Sequence, residues 1–309
     1  MQLAITAIFI TYNSQDVIRQ AIASVMGNPE IGQVIVVDNA SSDNTCHIIS
    51  RDFTSINLIK NRENIGFGCA NNIALAQVTT PYALLVNPDA VLAPGAVAAL
   101  LDSAQRNPDA AILAPALYDE QGKLHHTFKR SVFMREKKNV VSPAKAGISW
   151  LWDRDSCLRR NDMCVAEGEL CAEFLSGALW LLNMQHMQKI GFFDPNIFLF
   201  YEDDDLCLRA RQAGFSLIYT PHAKATHLQG ASSGKPKPAS EFFKQEHMTW
   251  SRLYIQQKSH GLKSARRLAF RFRVEYAVKA ALYLLQGNRT KLNRYRGRIA
   301  GIFRFYYPL

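Results

Sequence analysis

Asn87-Pro88-Asp89 closes the apolar run Tyr82–Val86, and its chemistry follows from that place. Pro88 cannot continue a strand, so Asp89 stands just past the carboxyl end of a buried one. Open α/β sheets bind ligands in the crevice outside those ends. A carboxylate there suits a divalent cation carrying phosphates, although Asn-Pro and Pro-Asp are also ordinary turn dipeptides. Two earlier strand ends carry polar groups in the same way. Leu3–Thr11 runs into Tyr12-Asn13-Ser14, and Gln33–Val37 ends on Asp38. One polar strand end is a solvated loop. Three in succession, Thr11/Asn13, Asp38 and Asn87/Asp89, point to a site. A second cluster, Glu202-Asp203-Asp204-Asp205, follows the run Phe198–Tyr201, which reads as an aromatic strand. The first turn of a helix favours anions and accounts for Asp204 and Asp205, but not for where the whole acidic run is placed.

The elements that must position these residues alternate regularly. Ser14 is a cap for a helix over Gln15–Met26, in which Val17, Ile18, Ala21, Ile22 and Val25 recur at helical spacing. A third strand is predicted over Asn57–Lys60 and helices follow Gly68 and Gly95. Gly66 and Gly68 do not complete a dinucleotide fingerprint, because Asn71 stands where the third glycine belongs. Later strands are predicted at Ala110–Ala114, Phe174–Leu182 and Phe215–Tyr219, with helices over Met184–Ile190 and from the acidic run to Gln212. Four strand–helix alternations within about 100 residues are the mark of a doubly wound parallel sheet.

The 309 residues, 48% of them hydrophobic, allow one sizeable domain and an appendage. The net charge of +10 is uneven: Glu241–Leu309 holds 15 Lys/Arg against 3 Asp/Glu, whereas the first 240 residues hold 21 against 23. The basic end is therefore expected to meet an acidic surface or polyanion. Six cysteines without a C-x-x-C pair give little support for zinc or thioredoxin-like chemistry and read as reduced thiols of a cytoplasmic protein. The apolar start lacks the features of a signal peptide, and no run reaches the length of a membrane span.

In order, the chain holds Thr11-Tyr12-Asn13-Ser14, Val37-Asp38-Asn39-Ala40-Ser41-Ser42-Asp43, Asn64-Ile65-Gly66-Phe67-Gly68 with Asn71-Asn72, and Asn87-Pro88-Asp89. Then come Gly177-Ala178, Gly191-Phe192-Phe193-Asp194, Glu202-Asp203-x-Asp205-Leu206-x-Leu208-Arg209 and His227-x-x-Gly230-x-Ser232. This series resembles the family 2 glycosyltransferases, and within them the bacterial rhamnosyltransferase branch that builds O-antigen and related polysaccharides. The likeness covers about residues 4–233. It implies the GT-A fold, a Rossmann-like, mainly parallel α/β sheet with helices on both faces, over residues 1–240. Residues 125–170, polar and mixed in charge, read as an acceptor-side insertion or long loop, and 241–309 as a basic amphipathic helical tail.

The resemblance further implies a nucleotide pocket lined by Thr11, Asn13 and Asp38, with Asn64, Gly66 and Asn71 flanking the nucleotide-sugar. Asn87 and Asp89 occupy the family's metal motif, its first acid here an amide, and His227 is the second protein ligand of Mg²⁺ or Mn²⁺. Asp203 falls at the catalytic base, with Glu202 beside it. A like-charged neighbour raises the pKa of one acid of such a pair and suits it to proton transfer. Arg209 is expected to brace the acidic turn.

The expected reaction is inverting transfer of a sugar, with dTDP-rhamnose the leading donor and a polyprenyl-diphosphate-linked saccharide the acceptor. A UDP- or GDP-sugar is the alternative donor, and a non-catalytic nucleotide-sugar binding module the alternative function. A nucleotidyltransferase would carry a Gly-rich basic loop after its first strand, and Thr11–Asp16 has none. The tail, with Trp250–Gln257 and Ala265–Leu285 amphipathic, suits an anionic membrane surface, and the protein is expected at the inner face of the cell membrane. An oligomer contact is the rival use of that surface. No nucleic-acid reading module is present.

Overall fold

The computed structural model describes residues 5–125, 168–228 and 238–307. Most of the expected insertion at 125–170, and Gly230 and Ser232, lie outside the described residues. The chain divides into two compact units: the described parts of Met1–Asn64, Ala70–Phe192 and Leu206–Ser233, and those of Ile65–Cys69, Phe193–Asp205 and Gly234–Leu309.

The first unit is built on one sheet. Its strands are β1 (Ile5–Thr11), β2 (Ile31–Asp38), β3 (Asn57–Lys60), β4 (Tyr82–Val86), β5 (Ala90–Leu92), β6 (Ala110–Tyr118), β7 (Leu170–Cys171), β8 (Leu179–Asn183) and β9 (Ser216–His227). The order is β3-β2-β1-β4-β8-β6-β9-β5, with β7 on β9. β3, β2, β1 and β4 are mutually parallel, as the alternation predicts. β8 runs antiparallel to β4 and to β6, so β6 and its parallel neighbour β9 point the same way as β1, β2 and β4. Each β1 residue is buried, as expected of a central strand covered on both sides. Large aliphatic side chains such as Ile5, Ile8, Ile35 and Leu84 are fully buried there, each contributing about 1.5–3 kcal/mol. α1 (Ile18–Met26) presents Ile18, Ala21, Ile22 and Val25 to this core, and α2 (Thr45–Asp52) and α4 (Ala96–Arg106) add Ile49, Val97 and Leu100. Strands and helices together form the Rossmann-like mixed α/β core that was expected.

Several local expectations are corrected. α1 begins three residues late because Gln15 and Asp16 form a turn, and Ser14 receives the first helical N–H groups on its backbone carbonyl. Phe198–Tyr201 is not a strand: Phe200 and Tyr201 take φ of 64° and 68°, the left-handed region that ends extended backbone. The strand expected from Phe174 starts only at Leu179. β9 continues through Pro221, where the register jumps from Pro115↔Thr220 to Ala116↔Lys224 and the extra residues bulge out of the ladder. Cys171 is disulfide-bonded, against the expectation of reduced thiols, while Cys46, Cys69 and Cys207 are free.

The second unit is helical. α7 (Pro238–His260), α8 (Leu262–Leu285) and α9 (Arg289–Tyr306) surround a core of Leu253, Leu268, Ala269, Phe272, Tyr276, Tyr295 and Ile302. Gly297 and Gly301, one helical turn apart on α9, lie against the Phe242 and Glu246 carbonyls of α7. A Cβ at either would sit 2.4 Å from that oxygen. Arg252, Arg298 and Arg304 stack over Phe272, Tyr276 and Trp250 within the bundle, so part of the tail's positive charge serves packing.

Candidate active site

Within the sheet unit, Thr11 and Asp38 are register partners at the ends of β1 and β2. Thr11 Oγ1 donates to Asp38 Oδ1 at 2.8 Å, and Ser41 N and Oγ donate to Oδ2 and Oδ1 at 2.8 and 2.5 Å. Asp38 is buried and closes the β2–α2 loop on itself. Asn13, held at φ 54°, donates its N–H to Ser41 Oγ and accepts from Ser42 N, both at 2.8 Å. Ala40, also left-handed at φ 63°, completes this interlocked pair of loops. Asn61 Nδ2 donates to Asn39 Oδ1, tying in the end of β3. Burial, then the adjacent Asp38, pushes the Cys46 thiol up to about 11, so it is an unreactive thiol. Asp38 retains acceptor capacity beyond these bonds, since a carboxylate offers about four lone-pair directions.

The second part of the same unit is built by β4, β5 and β9. Asn87-Pro88-Asp89-Ala90 is a turn, closed by Ala90 N donating to Asn87 O at 3.0 Å. Ala90 pairs with His227 across β5 and β9, and Leu228 N donates to Asp89 O at 2.9 Å. This register places His227 Nε2 3.2 Å from Asp89 Oδ1, with Asp89 1% exposed. β1, β2, β4 and β9 share a direction, so Thr11, Asp38, Asn87 and His227 mark one edge of the sheet. Among the described residues no group of three or more His, Cys, Asp and Glu side chains is gathered for a metal. Buried Asp89 and part-buried His227 do form a pair, and Asn87 Oδ1 is buried without a hydrogen-bond partner among the described residues. Carboxylate and amide oxygens with one imidazole fit a hard divalent cation whose other positions go to water and phosphate oxygens. Asn71, at the middle of α3 (Phe67–Leu75), is buried in this unit, and Asn64 is part-buried.

The acidic run belongs to the other unit, where it forms the first turn of α6 (Glu202–Gln212). Glu202 is enclosed at its carboxyl end: Oε2 is out of contact with solvent and has no hydrogen-bond partner among the described residues. Burial, and then the neighbouring Asp203, push its pKa up to about 8. Asp203 Oδ1 accepts from Asp204 N at 3.0 Å. Asp205 is anchored by Lys258 Nζ at 2.7 Å, and the same ammonium donates to Asp194 Oδ2 at 2.7 Å. Burial opposes ionisation of Asp194, but the hydrogen bonds from Lys258 and Asn196 and the Lys258 charge together outweigh it and hold the carboxyl below its usual range. Arg209 donates to the carbonyls of Ile190, Gly191 and Phe192, at the end of α5 (Met184–Ile190), where a brace on the acidic turn was expected.

Gly66 belongs to this second unit. It has φ +90°, and a Cβ there would lie 2.5 Å from the Phe198 carbonyl oxygen, which also accepts the Phe67 N–H at 3.1 Å. Gly66→Ala is expected to lower stability by about 2 kcal/mol or more, read as a lowered urea midpoint. A wild-type midpoint would mean that Phe198 can move aside at no cost.

Residues 6–150 match the family model described as glycosyl transferase family 2. The chain carries a family 2 glycosyltransferase domain. It is also similar over 94% of its length to the N-acetylglucosaminyl-diphospho-decaprenol L-rhamnosyltransferase of Mycobacterium tuberculosis, 26% identical and covering 97% of that protein. The rhamnosyltransferase WbbL of Escherichia coli is 24% identical over 71% of the chain and 81% of its own length. Among solved structures, a Pyrobaculum calidifontis mannosyltransferase in complex with GDP-Man and Mn²⁺ aligns with 98% of the chain and 87% of its own, with a TM-score of 0.54 and 16% identity. GalNAc-T7 with UDP, GalNAc and Mn²⁺ aligns with 83% of the chain and 52% of its own, with a TM-score of 0.56 and 12% identity. These likenesses identify the GT-A fold.

The glycosyltransferase contains functional-looking residues that sequence reasoning did not single out. Ser41 fastens both Asp38 and Asn13, and Lys258 fastens the acidic turn. Ser41 lies in a small-polar turn and could have been found as a loop-closing hydroxyl. Lys258 is one of many cations in a basic helix, and no local signal sets it apart.

Proposed function

We propose that this glycosyltransferase moves L-rhamnose from dTDP-rhamnose to a saccharide on a polyprenyl diphosphate, with inversion, in the synthesis of a cell-surface polysaccharide. The observation that carries the reading is the pairing of Asp89 with His227 at the ligand-binding edge of the sheet, beside the Thr11–Asp38–Asn13 loops. The names of the two rhamnosyltransferase relatives support the choice of sugar, and the mycobacterial one supports a lipid-linked acceptor.

In this reading Thr11, Asn13 and Asp38 receive the nucleoside, and Asn64, Gly66, Asn71 and Asn87 flank the diphosphate-sugar. Asp89 and His227 hold Mg²⁺ or Mn²⁺, which when bound supplies neutralisation of the charge that develops on the leaving diphosphate. Asp203 accepts the proton of the acceptor hydroxyl as it attacks the anomeric carbon. Glu202 beside it holds its proton more tightly than an ordinary glutamate, because it is buried next to Asp203. One displacement inverts the anomeric centre, and no covalent enzyme intermediate is needed. The basic, aromatic tail meets an anionic membrane surface, which would place the enzyme peripherally at the inner face of the membrane.

A thermal-shift series with dTDP-, UDP- and GDP-sugars and Mn²⁺ tests the donor, because ligand bound only to the folded state raises the melting temperature. The largest rise is expected with dTDP-rhamnose, followed by release of dTDP when acceptor is added. A larger rise with a UDP- or GDP-sugar would replace the donor. Binding without turnover on any acceptor would favour a binding module. Asp89→Ala is expected to abolish the Mn²⁺-dependent part of the shift while leaving the metal-free melting temperature near wild type. An undiminished Mn²⁺ response would remove Asp89 from the metal site.

A further inference from the structure

α8 carries apolar residues on two faces. One face, with Ala265, Leu268, Ala269, Phe272 and Tyr276, is buried in the helical core. The opposite side of a bundle helix in water is expected to be polar. Here Phe270, Val274, Val278, Leu282 and Leu285 recur at helical spacing and stay exposed, Phe270 by 66% and Leu285 by 86%. At about 100° per residue these five fall within one third of the helix circumference. Lys263, Arg266 and Arg267 are exposed on the same side, one to two turns nearer the helix start. Beside the stripe, Arg273 lines a cleft of about 200 Å³ with Ile299, Ile302, Phe303, Tyr306 and Tyr307 of the α9 end. Phe303 and Tyr307 are themselves exposed.

We propose that this outer face of α8, with the aromatic end of α9, is the surface that lies in the interfacial layer of an anionic bilayer. The inference rests on the reading of the acceptor as lipid-bound and names the residues that bring the enzyme to it. Charge selects the occupant. Leu262–Tyr306 holds 12 Lys/Arg and one acid, Glu275. Two copies of such a face would repel each other, whereas an anionic leaflet attracts each cation and accepts the apolar stripe between them. Arginine beside tyrosine and phenylalanine is the composition that settles at headgroup level.

Co-sedimentation of the full chain with vesicles tests this. Binding to mixed phosphatidylglycerol–phosphatidylcholine vesicles is expected, with little to pure phosphatidylcholine and a loss in high salt. The Arg266→Gln, Arg267→Gln, Arg271→Gln triple variant is expected to bind about a hundredfold more weakly, since each cation near the surface contributes roughly a fivefold factor. Phe270→Ser, Val274→Ser, Val278→Ser should lose a similar factor while melting as wild type, because the three side chains are exposed. Transfer to a short-chain, water-soluble acceptor should be unaffected in both variants, which separates this surface from the catalytic reading. If wild type transfers sugar to that acceptor but does not bind anionic vesicles, or the variants bind as wild type, the proposal is overturned. If the stripe variant instead turns a dimer into a monomer with vesicle binding intact, the face is an interface between copies. Vesicle binding lost in the variants, in a protein that transfers no sugar, would uphold the surface and remove the enzyme reading.

Discussion

Asp203→Asn is expected to lower turnover by about 10²–10⁴-fold while donor and Mn²⁺ binding stay close to wild type. An amide has the shape of the carboxylate but cannot take the proton that the acceptor hydroxyl must lose. Loss confined to kcat distinguishes removal of a base from damage to the donor pocket. Asp203 is well placed for a clean substitution. It sits in the first turn of α6, and its Oδ1 accepts from the Asp204 N–H, a bond that the amide oxygen of Asn can still accept. Asp204→Asn is the control, since the first-turn dipole interaction it weakens is worth only about 0.3–1 kcal/mol. Single-turnover rates with saturating donor and acceptor are the measurement. Wild-type rates in Asp203→Asn would end its assignment as the base, whatever the family likeness suggests.

Glu202→Gln should make the protein more stable at pH 8 than wild type, by about 2–4 kcal/mol, and leave it nearly unchanged near pH 4. The sign follows from where the proton sits. Burial, with Asp203 adjacent, raises the folded-state pKa of Glu202 from 4.5 to about 8. Below pH 4.5 the group is protonated both folded and unfolded and favours neither. Between pH 4.5 and 8 the unfolded chain loses the proton and the folded one keeps it, so stability falls as pH rises. Above pH 8 the full cost of the buried charge is present. Glutamine carries no such charge, so urea midpoints of the variant should lose this part of the pH slope. Parallel slopes for the two proteins would show Glu202 ionised in the folded state.

Much of the fold was written in short-range pattern. β3, β4 and α5 begin and end where apolar runs meet Asn, Pro and Gly, and α6 starts on the acidic run and stops before Gly214. Such boundaries depend on residues within a few positions, so propensity and turn chemistry reveal them. Errors arose where distant packing overrode that local preference. Phe198–Tyr201 has the composition of a strand. Yet the Phe198 carbonyl receives the Phe67 N–H against Gly66, and Ser251 Oγ donates to the Leu199 carbonyl at 3.0 Å, in backbone that turns left-handed at Phe200 and Tyr201. The strand predicted over Phe215–Tyr219 stopped short of Pro221, but a bulge opposite β6 absorbs that residue's missing N–H and lets β9 run on to His227.

The candidate site divides along the same line. Sequence by itself determined which residue types stand at the strand ends, that acids cluster at 202–205, and that the tail is basic. Those facts need only the identity of neighbours along the chain. Tertiary structure alone decided that β9 carries His227 to the side of Asp89, that Ser41 fastens Asn13 to Asp38, and that Lys258 anchors Asp194 and Asp205. It alone also decided that one side of α8 keeps its apolar residues in solvent. Each of these depends on the register between strands or the rotation of a helix about its axis. Both are fixed by the burial of many side chains at once, and no local stretch of sequence encodes that collective result.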